Sequence, residues 1–559
     1  MPADVIDQIE FYPGNFSTRY GRFTGGILNA QIRGLDEESV RGVVDVSLLD
    51  ASLLLEVPIS KELSVLAAGR RSYIDTILGA AIGDETVSLT TAPRYYDFQA
   101  IVDWHPSRVH RFKLTVIGSD DQLVATFESP ADIDVRLRSG NTNVSTTFGR
   151  AIASYQFTPS EEVANRLSFS AGFDQFGGAF GGQFDFDFDT VRFDVRNDFR
   201  WQIASTVELV SGLDAFVSTT DYSVLATRPP REGDPVPPGD IGDPLFSEAT
   251  GVEDLRIAPF LEVDWRLFDR VSIIPGARLD YFSRLDALTF DPRVVFATTG
   301  ARSSRPRAEL PWSTSSPPCK NSTLSSVTLS SSLSAPFNTL SVKNGDPLEY
   351  LSFDVTLFYK DIQNLVSATG ATQTDENSVV SPLVYDNDGT GEVFGLETFI
   401  EHKFNNNLRG WLSYTLSTAR RTDSGETRSR FFDFDQTHIF SVVGSYLLPD
   451  NWEFGVRYRL VSGNPYTPFT GGIFVSERDE FEPITARVNS ERLPTFHQID
   501  LRVDKTWVYR TWQLSFYLSL TNAYNQSNVE AISYNYDFTQ QGETTGLPIL
   551  PILGVRAEF

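Results

Sequence analysis

The last eleven residues of the chain, Ile549-Leu550-Pro551-Ile552-Leu553-Gly554-Val555-Arg556-Ala557-Glu558-Phe559, pass from an apolar start into alternation and end on an aromatic side chain. Counted in twos from the terminus, one face carries Ala557, Val555 and Leu553, and the other carries Glu558 and Arg556. Side chains of a β-strand alternate in this way, and a strand between lipid and a wet lumen needs one apolar and one polar face. The pattern predicts that the chain ends as a strand of a membrane β-barrel.

The composition agrees with this fold class and excludes others. The chain has 559 residues, of which 41% are hydrophobic and 13% aromatic. No apolar run approaches the roughly 18 to 20 residues of a membrane helix, so any membrane crossing is by strands. A formal net charge of -26 argues against nucleic acid, whose phosphates need clustered Lys and Arg. A single Cys gives neither a disulfide framework nor a thiolate metal site.

The clearest internal strand runs from Trp452 to Leu460, with five apolar side chains on one face and charged side chains on the other. An arginine that faces the bilayer midplane costs about 2 to 4 kcal/mol. A one-residue slip of register would turn Arg457 and Arg459 into lipid, so the alternation specifies which face meets the membrane. Residues 353–360 and 499–504 follow the same rule. A soluble β-sandwich would also alternate, but the number of such segments favours a barrel.

Short and long connections alternate between these segments. Outer-membrane barrels have this arrangement because their periplasmic turns are short and their external loops are long. Short breaks are predicted at 60–62, 105–108, 158–161, 268–270, 405–407, 448–451 and 506–511. Long polar connections are predicted at 79–93, 120–143, 222–254, 367–391, 420–434, 463–492 and 524–547. The predicted fold class is all-β: a membrane-spanning, antiparallel up-and-down β-barrel of about 22 strands.

Strand alternation is lost at residues 297–349, a Ser-rich stretch that contains the single cysteine, Cys319. About twelve strands precede this stretch and about eight follow it, so two strands of an even-numbered barrel are missing from the pattern. Two interpretations remain open. The stretch is either a disordered Ser-rich loop or the product of two compensating reading-frame shifts across two strands and a loop.

The N-terminal residues contain a glycine-rich pattern. Val5-Ile6-Asp7-Gln8-Ile9-Glu10-Phe11-Tyr12-Pro13-Gly14 is followed by Arg19-Tyr20-Gly21 and Gly25-Gly26-Ile27-Leu28-Asn29. This order resembles the end of the plug domain of TonB-dependent outer-membrane receptors, where a plug strand, a glycine-rich turn and a last strand lead into the barrel. The candidate plug-strand and turn motif comprises Gly14, Arg19, Tyr20, Gly21, Gly25 and Gly26. Glycines permit tight turns and close backbone approach inside a crowded lumen.

Motifs of the C-terminal half resemble barrel motifs of the same family. They are Asn387–Glu397, Phe434–His438, Ser462–Pro468, Leu493-Pro494, His497–Asp500 and Asn522–Asn525. The resemblance covers nearly the whole chain except 297–349. It implies a receptor in the cell outer membrane that binds a scarce extracellular solute of the siderophore, cobalamin, glycan or peptide class and imports it with energy from the TonB complex. It also implies contact with lipid and lipopolysaccharide, and recognition of the terminal Phe559 by the barrel-assembly machinery.

The resemblance divides the chain after residue 36. Residues 1–36 correspond to a C-terminal remnant of the plug domain, and residues 37–559 to the barrel. Family members begin with a cleaved signal peptide, a TonB-contacting segment and the rest of the plug, whereas this sequence opens at Met1-Pro2-Ala3-Asp4 without a charged start or an apolar export core. The expectation is a truncated gene model or a fragment of a receptor gene, with a decayed pseudogene as the next interpretation.

No residue pattern in the sequence indicates catalysis, so we expect that the protein is not an enzyme and has no cofactor and no metal site. The five histidines form no HExxH pair, and neither a GxSxG elbow nor a phosphate-binding loop is present. His438 and His497 lie at strand starts, which favours structural hydrogen bonds. The alternating run Phe184–Asp189 offers carboxylates, which hard cations prefer, but a lumen-facing strand would give the same pattern and is favoured.

Two other function classes remain open. A passive diffusion porin would need no TonB contact, and an incomplete plug would leave such a pore. A ligand-binding, adhesin-like barrel would use the long loops without transport.

Overall fold

Apolar and polar side chains alternate through most of the chain, and the structure, a computed structural model, arranges these segments as one antiparallel meander of 22 strands. Each barrel strand pairs with the next along the chain. The last strand, Leu550–Glu558, also pairs with the first, Arg41–Ser47, so the barrel is closed. The predicted up-and-down barrel of about 22 strands is confirmed.

The structure describes residues 3–12, 16–23, 25–35, 38–74, 94–126, 141–180, 184–226, 246–268, 271–299, 324–330, 337–348, 351–368, 372–374, 380–382, 385–405, 407–476, 480–535 and 537–559. Among these residues, no helix has the length and apolar character needed to cross a membrane.

Two strands precede the barrel, β1 (Ile6–Tyr12) and β2 (Ile27–Ile32), and they form an antiparallel hairpin. The barrel strands are β3 (Arg41–Ser47), β4 (Asp50–Ser60), β5 (Leu63–Ser72), β6 (Arg94–Trp104), β7 (His110–Thr126), β8 (Asn141–Phe157), β9 (Val163–Phe180), β10 (Phe184–Ala204), β11 (Val207–Ala226), β12 (Phe246–Phe268), β13 (Val271–Phe282), β14 (Ala287–Thr299), β15 (Leu324–Ser330), β16 (Phe337–Leu348), β17 (Leu351–Ala368), β18 (Tyr385–Asn405), β19 (Leu408–Thr422), β20 (His438–Leu448), β21 (Trp452–Val461), β22 (Phe496–Val508), β23 (Gln513–Thr521) and β24 (Leu550–Glu558).

Smaller elements lie in the connections. Arg430–Phe431 pairs with β19, and the short hairpins are Thr372–Thr374 with Val380–Pro382, Pro465–Tyr466 with Glu491–Arg492, Phe469–Val475 with Glu480–Thr485, and Val529–Tyr534 with Gln541–Thr545. Three-residue 3-10 turns occur at Ala3–Val5, Ser283–Leu285 and Pro449–Asn451.

The seven predicted short breaks all fall between consecutive barrel strands, at the end of the barrel where β24 also finishes. We call this the turn end, and the opposite end of the barrel strands the loop end. The seven predicted long connections join strands at the loop end, but 79–93 and parts of 120–143, 222–254, 367–391, 463–492 and 524–547 lie outside the described residues. A further short turn, between β10 and β11, also lies at the turn end and was not predicted. The short turns at the turn end match outer-membrane barrels, whose periplasmic turns are short, but short connections also occur at the loop end, between β3 and β4 and between β13 and β14.

Exposed apolar side chains alternate along the strands and mark the lipid face. On β21, Trp452, Phe454 and Val456 are exposed, whereas Arg457 donates from Nε to Asp500 on β22 at 2.7 Å. On β24, Val555 is exposed as predicted. The orientation that keeps arginine out of lipid is therefore the one adopted.

The run Phe184–Asp189 departs from its predicted orientation. Arg196 of the same strand points into the lumen, and no register shift separates it from Phe186, so Phe186 faces inward and Asp185 and Asp187 face outward. The lumen-facing interpretation of these aspartates was wrong. Strand β10 has 21 residues, whereas a membrane crossing takes about 9 to 11. Its loop end therefore extends beyond lipid, where the outward face is wet and suits carboxylates.

Two barrel strands fall within residues 297–349. β15 pairs with β14 over seven residue pairs, and β16 pairs with both β15 and β17. The barrel thus has backbone strands where the sequence pattern is lost. Whether the Ser-rich composition reflects a reading-frame shift stays a prediction.

Candidate functional site

The described residues between 3 and 35, called the N-terminal segment below, lie inside the barrel. The carbonyl oxygen of Asp4 accepts a hydrogen bond from Arg33 Nε at 2.9 Å, and the Asp4 carboxylate pairs with Arg556 on β24. Arg33 also pairs with Glu56 on β4, whose side chain is fully buried. These partners come from strands on both sides of the barrel seam, so the segment is attached to the wall where the barrel closes.

The turn at residues 16–23, called the N-terminal turn below, presents backbone carbonyls to arginines of the barrel wall. Arg293 on β14 donates from Nη1 to the carbonyl oxygens of Phe16 at 3.2 Å, Ser17 at 3.0 Å and Tyr20 at 2.7 Å. A guanidinium suits this role because it has five N–H donors in a fixed planar arrangement. One barrel side chain therefore binds three carbonyls of the turn independently of the turn's own side chains.

Two more wall arginines bind the carbonyl oxygen of Arg19. Arg196 on β10 donates at 3.0 Å, and Arg278 on β13 donates at 3.3 Å. Each has an acidic neighbour two residues along its own strand, Asp198 at 3.0 Å and Asp280 at 2.9 Å. Residues two apart in a strand share a face, so each guanidinium keeps its counter-charge while it binds the turn.

Gly21 lies directly against Arg278. The Arg278 side chain has no exposed surface, and it also donates to Asp214 on β11 at 2.8 Å. A Cβ atom at position 21 would lie 2.1 Å from Arg278 Nε, which is far inside van der Waals contact. The close approach of the turn to the wall therefore requires glycine here.

Arg22 adds an ion pair in the reverse direction, from the turn to the wall. Its guanidinium pairs with Asp214 at 2.5 Å and lies 5.2 Å from the ring centroid of Phe216. Its backbone has a φ of +66°, a left-handed conformation that costs a non-glycine residue about 1 to 2 kcal/mol. Asp214 thus joins Arg22 of the turn and Arg278 of the wall in one network.

Thr18 is the most deeply buried side chain of the turn. It is 1% exposed, and its backbone N–H donates to Glu262 on β12 at 2.9 Å. A Cβ at Gly276 on β13 would lie 2.6 Å from the Thr18 methyl group. With this contact, the turn touches five consecutive strands, β10 to β14, which we call the latch wall.

The candidate motif residues of the sequence do not all lie at this interface. Arg19 and Tyr20 do, since the Arg19 guanidinium is 3.4 Å from Asp198 and 5.3 Å from the Tyr20 ring centroid. Gly25 and Gly26 are exposed, and a Cβ at Gly25 would meet nothing within 4 Å. Gly14 lies outside the described residues. One nitrogen of Arg19 and one of Arg22 are buried without a hydrogen-bond partner among the described residues.

The sequence contained a signal for the latch wall that our sequence analysis missed. Arginine and aspartate stand two residues apart on one face in several strands, and the separation places both in the lumen. The pairs are Arg192 with Asp194, Arg196 with Asp198, Arg278 with Asp280, and Asp291 with Arg293. Their recurrence on neighbouring strands marks a charged inner wall.

The terminal Phe559 completes the barrel seam. Gly42 N–H donates to the Phe559 carbonyl at 2.8 Å, and Phe559 N–H donates to the Gly42 carbonyl at 3.0 Å. A Cβ at Gly42 would lie 2.1 Å from the Phe559 ring. The terminal aromatic therefore packs on a glycine of the first barrel strand, and about half of its surface remains exposed.

The motif Phe434–His438 organises the loop end. Asp435 is 2% exposed and pairs with Arg492, which also donates to the Asp435 carbonyl at 2.7 Å. Arg492 lies 4.7 Å from the ring centroid of Phe431, and Asn489 donates to the Phe431 carbonyl at 2.9 Å. Two long connections are thus cross-linked beside the mouth of the barrel.

Two loop groups have displaced pKa values. Burial alone would raise the pKa of Asp423, but the hydrogen bond and charge of Arg430 at 2.6 Å outweigh it and hold the pKa below its usual value. Burial, together with a hydrogen bond to Glu491 at 3.0 Å, raises the pKa of Tyr466 to about 12. Both groups keep their ordinary charge at neutral pH.

The described residues contain no cluster of three or more His, Cys, Asp or Glu side chains arranged to hold a metal ion. His438 Nδ1 lies 3.0 Å from the Tyr414 hydroxyl, and His497 Nδ1 lies 2.7 Å from the Tyr524 hydroxyl. Both rings are therefore engaged in hydrogen bonds between neighbouring strands or loops.

Residues 339–523 match the family model described as TonB dependent receptor-like, beta-barrel. The matched residues lie within the barrel, from β16 to the connection that follows β23. No curated protein matched the sequence.

Solved structures agree on the fold. FpvA of P. aeruginosa bound to heterologous pyoverdines gives a TM-score of 0.66 at 12% identity, covering 96% of this chain and 73% of that one. The outer membrane transporter YddB from Escherichia coli gives a TM-score of 0.64 at 11% identity, and the match covers 100% of this chain and 85% of that one. BauA, the ferric preacinetobactin receptor from Acinetobacter baumannii, gives a TM-score of 0.63 at 13% identity, and the match covers 96% of this chain and 82% of that one. YddB is named as a transporter and BauA as a receptor, and at identities of 11–13% the three structures establish the shared fold alone.

Proposed function

We propose that this protein is a TonB-dependent outer-membrane receptor that binds a scarce extracellular solute and imports it. In this proposal residues 1–36 are the C-terminal part of the plug, residues 37–559 form the barrel, and the motif of Gly14, Arg19, Tyr20, Gly21, Gly25 and Gly26 shapes the plug strand and turn. The partners are lipid, lipopolysaccharide, the barrel-assembly machinery at Phe559, the TonB complex and a small extracellular ligand.

The observation that carries the proposal is the attachment of the N-terminal turn to the latch wall. Arg293, Arg278 and Arg196 bind carbonyl oxygens of the turn, and Arg22 pairs with Asp214. A hydrogen bond to a charged group contributes about 1.5 to 3 kcal/mol, so several of them together hold the turn against thermal motion. A segment held this way leaves the wall only when work is done on it, which suits a receptor whose transport step is driven by an external energy source.

The bonds of the latch wall also suit repeated use. They are hydrogen bonds and ion pairs in a wet lumen, and water can replace each partner as the turn leaves. Each wall arginine keeps its own aspartate two residues away, so no guanidinium is left without a counter-charge when the turn departs. The wall is therefore stable with or without the segment, as a plug that moves and returns requires.

The test is accumulation of solute in cells with and without TonB. The protein is expressed from its native locus, and cells are given radiolabelled ferric siderophores, cobalamin, oligosaccharides and peptides in turn. We expect one class to bind to both strains and to accumulate only where TonB is present. Accumulation without TonB would make the protein a passive porin, and binding without accumulation in either strain would make it a surface-binding barrel.

A further inference from the structure

The outward face of β6 carries a basic and aromatic cluster at its loop end. Side chains alternate along a strand, and Phe98 and Trp104 are exposed on the lipid face of β6. Tyr96 and Arg94 continue that face toward the loop end. Arg71 on β5 lies directly across from Tyr96, so it also points outward. We call Arg71, Arg94 and Tyr96 the outer cluster.

The height of the outer cluster places it at the edge of the lipid. Strand β6 has 11 residues, with Trp104 at the turn end and Arg94 at the loop end. At a rise of about 3.3 Å per residue and a tilt of about 35 to 45°, such a strand climbs about 25 Å. The apolar band of an outer-membrane barrel is also about 25 Å tall and ends in aromatic girdles. With Trp104 in the lower girdle, the outer cluster lies at the upper border, at the level of lipid headgroups.

Two phenylalanine rings form the apolar border next to the outer cluster. Phe98 lies over Gly118 on β7, where a Cβ would come within 2.2 Å of its ring, and Phe173 on β9 lies over Gly149, where a Cβ would come within 2.6 Å. Both rings face outward and are about half exposed. Glycine in a strand permits such a close approach. The outer cluster therefore adjoins an apolar surface that suits acyl chains.

Tyr96 positions the two guanidinium groups of the outer cluster. Arg71 and Arg94 each lie 5.4 Å from the centroid of the Tyr96 ring, which is within cation–π distance. Arg71 is exposed, and it forms no ion pair with the described residues. Arg94 is 41% exposed and pairs with Asp120 at 4.0 Å, but Asp120 also accepts a hydrogen bond from Thr147 at 3.1 Å. Two accessible positive charges therefore share one carboxylate.

The charge of this outward row changes around the barrel. Across neighbouring strands the row continues from Tyr96 through Asp120, Thr147, Gln175, Asp189 and Asp221. Gln175 donates to Asp189 at 2.9 Å, and Asp221 lies directly opposite Asp189. An anion is therefore attracted to the row at β5 and β6 and repelled at β10 and β11.

We propose that the outer cluster binds a phosphate group of lipopolysaccharide in the outer leaflet. A guanidinium can donate two parallel hydrogen bonds to phosphate oxygens, and such charge-assisted bonds are short and strong. Arg71 and Arg94 donate to the phosphate, Tyr96 fixes their orientation, and the acyl chains pack on Phe98. The site lies on the outside of the barrel, so it does not depend on what the lumen contains. This inference rests on the proposed function for the membrane, and it names the residues that bind its lipopolysaccharide.

The test compares lipid A with and without its phosphates. The purified full chain in an uncharged detergent is titrated with diphosphoryl lipid A, with the same lipid after removal of both phosphates, and with inorganic phosphate as a competitor. Native mass spectrometry counts the bound lipid. The variants are Arg71→Gln and Arg94→Gln, singly and together, and Arg94→Lys. The control is Arg502→Gln, because Arg502 also lies over a tyrosine, Tyr517, at 4.2 Å but faces the lumen. Heat-modified migration on gels first verifies that each variant is folded.

We expect the wild type and Arg502→Gln to bind diphosphoryl lipid A at least about tenfold more tightly than the dephosphorylated lipid. Each single Arg→Gln variant should bind it about tenfold more weakly, and the double variant about a hundredfold more weakly, since a charge-assisted hydrogen bond corresponds to about tenfold or more. Arg94→Lys keeps the charge without the planar fork, so its affinity should lie between those of the wild type and Arg94→Gln. Inorganic phosphate should not compete at equal concentration, because it lacks acyl chains.

Four results would overturn the inference. They are equal binding of the two lipids by the wild type, unchanged binding by the double variant, an equal loss in Arg502→Gln, and competition by inorganic phosphate at equal concentration, which would make the cluster a site for a free anion. The proposed function fails separately, when cells show no TonB-dependent accumulation of any solute class. TonB-dependent accumulation together with equal binding of the two lipids would reject the lipid site and leave the receptor assignment standing.

Discussion

The two walls of the lumen differ in how far their polar groups are used. On the latch wall, Arg293 alone donates to three carbonyls of the N-terminal turn, and Arg278 is fully buried between Asp214 and Asp280. On the opposite wall, formed by β5 to β8, Gln99 is 4% exposed and has no hydrogen-bond partner among the described residues.

The difference indicates a division of roles within one barrel. The charged wall binds backbone, and it holds a segment of the same chain. The wall formed by β5 to β8 pairs Arg70 with Asp97 and leaves the amide of Gln99 without a partner among the described residues.

The largest effect is expected where both walls depend on one contact, the barrel seam. Gly42→Val would place side-chain atoms where the Phe559 ring lies, since even a Cβ comes within 2.1 Å of it. We expect the half-exposed Phe559 ring to be displaced from β3, which should weaken the seam between β3 and β24 and let the barrel unfold at a lower temperature. Heat-modified migration of the folded barrel on gels measures this, with Gly455→Val as the control, since a Cβ at Gly455 meets nothing nearer than 3.6 Å. Normal migration of Gly42→Val would contradict the account of the seam.

The next effect is confined to the latch wall. Arg278→Met removes a buried guanidinium and leaves Asp214 and Asp280 without it, which should lower the free energy of unfolding by about 3 to 5 kcal/mol. Urea unfolding followed by tryptophan fluorescence measures the change. Arg502→Met is the matched control, because Arg502 also pairs with an aspartate two residues away, Asp504, but is half exposed. Arg502→Met should lower the free energy of unfolding by about 1 kcal/mol or less. An equal loss of stability in the two variants would contradict the claim that burial makes the Arg278 ion pairs more important.

On the wall formed by β5 to β8, a substitution of Gln99 should change the free energy of unfolding with the opposite sign. Gln99→Met removes two unpaired buried polar atoms and replaces them with apolar ones, so without ligand it should raise the free energy of unfolding by about 1 kcal/mol or more. The same urea titration detects it, and Gln175→Met should give no increase, because Gln175 is exposed and its amide donates to Asp189 at 2.9 Å. A loss of stability in Gln99→Met would mean that Gln99 has partners in the empty protein, and it would remove the contrast between the walls.

The smallest effect concerns the loop end above both walls. Because the pKa of Asp423 is lowered in the folded state, its ion pair with Arg430 stabilises the loops at pH values above the unfolded pKa of about 3.9. That stabilisation is lost as the pH falls through the lower, folded pKa. We expect cleavage of residues 423–437 by pepsin to rise below about pH 4 in the wild type, and Asp423→Asn to be cleaved readily at pH 4 and above. Equal cleavage of the two proteins at pH 5 would contradict this role of Asp423.

Much of the fold could be predicted from sequence because lipid and lumen impose a strong alternation. A misplaced arginine such as Arg457 costs enough to decide the register of a strand. Beyond the membrane both faces of β10 are wet, so the sequence pattern does not indicate which side chains face the lumen. This is why the orientation of Phe184–Asp189 was predicted wrongly.

The candidate site was less accessible from sequence. Gly21 was selected from a family pattern, but its reason, the side chain of Arg278 some 250 residues away, depends on how the turn meets the wall. The charged latch wall could have been predicted from the arginine and aspartate pairs that stand two residues apart in its strands. Gln99 was not readable, because its lack of partners follows from the register of β5, β6 and β7, and a sequence does not record which polar atoms remain unpaired.

The central claim, that wall arginines hold the N-terminal turn through its backbone, is tested most directly by a distance measurement. Phe23 and Leu285 are exposed, so Phe23→Cys and Leu285→Cys can carry spin labels in a Cys319→Ser background, and pulsed electron resonance gives the distribution of distances between them. We predict one narrow distribution in this background and a broad one when Arg293→Gln is added, with Arg502→Gln as a control that stays narrow. A narrow, unshifted distribution in the Arg293→Gln protein would contradict the claim.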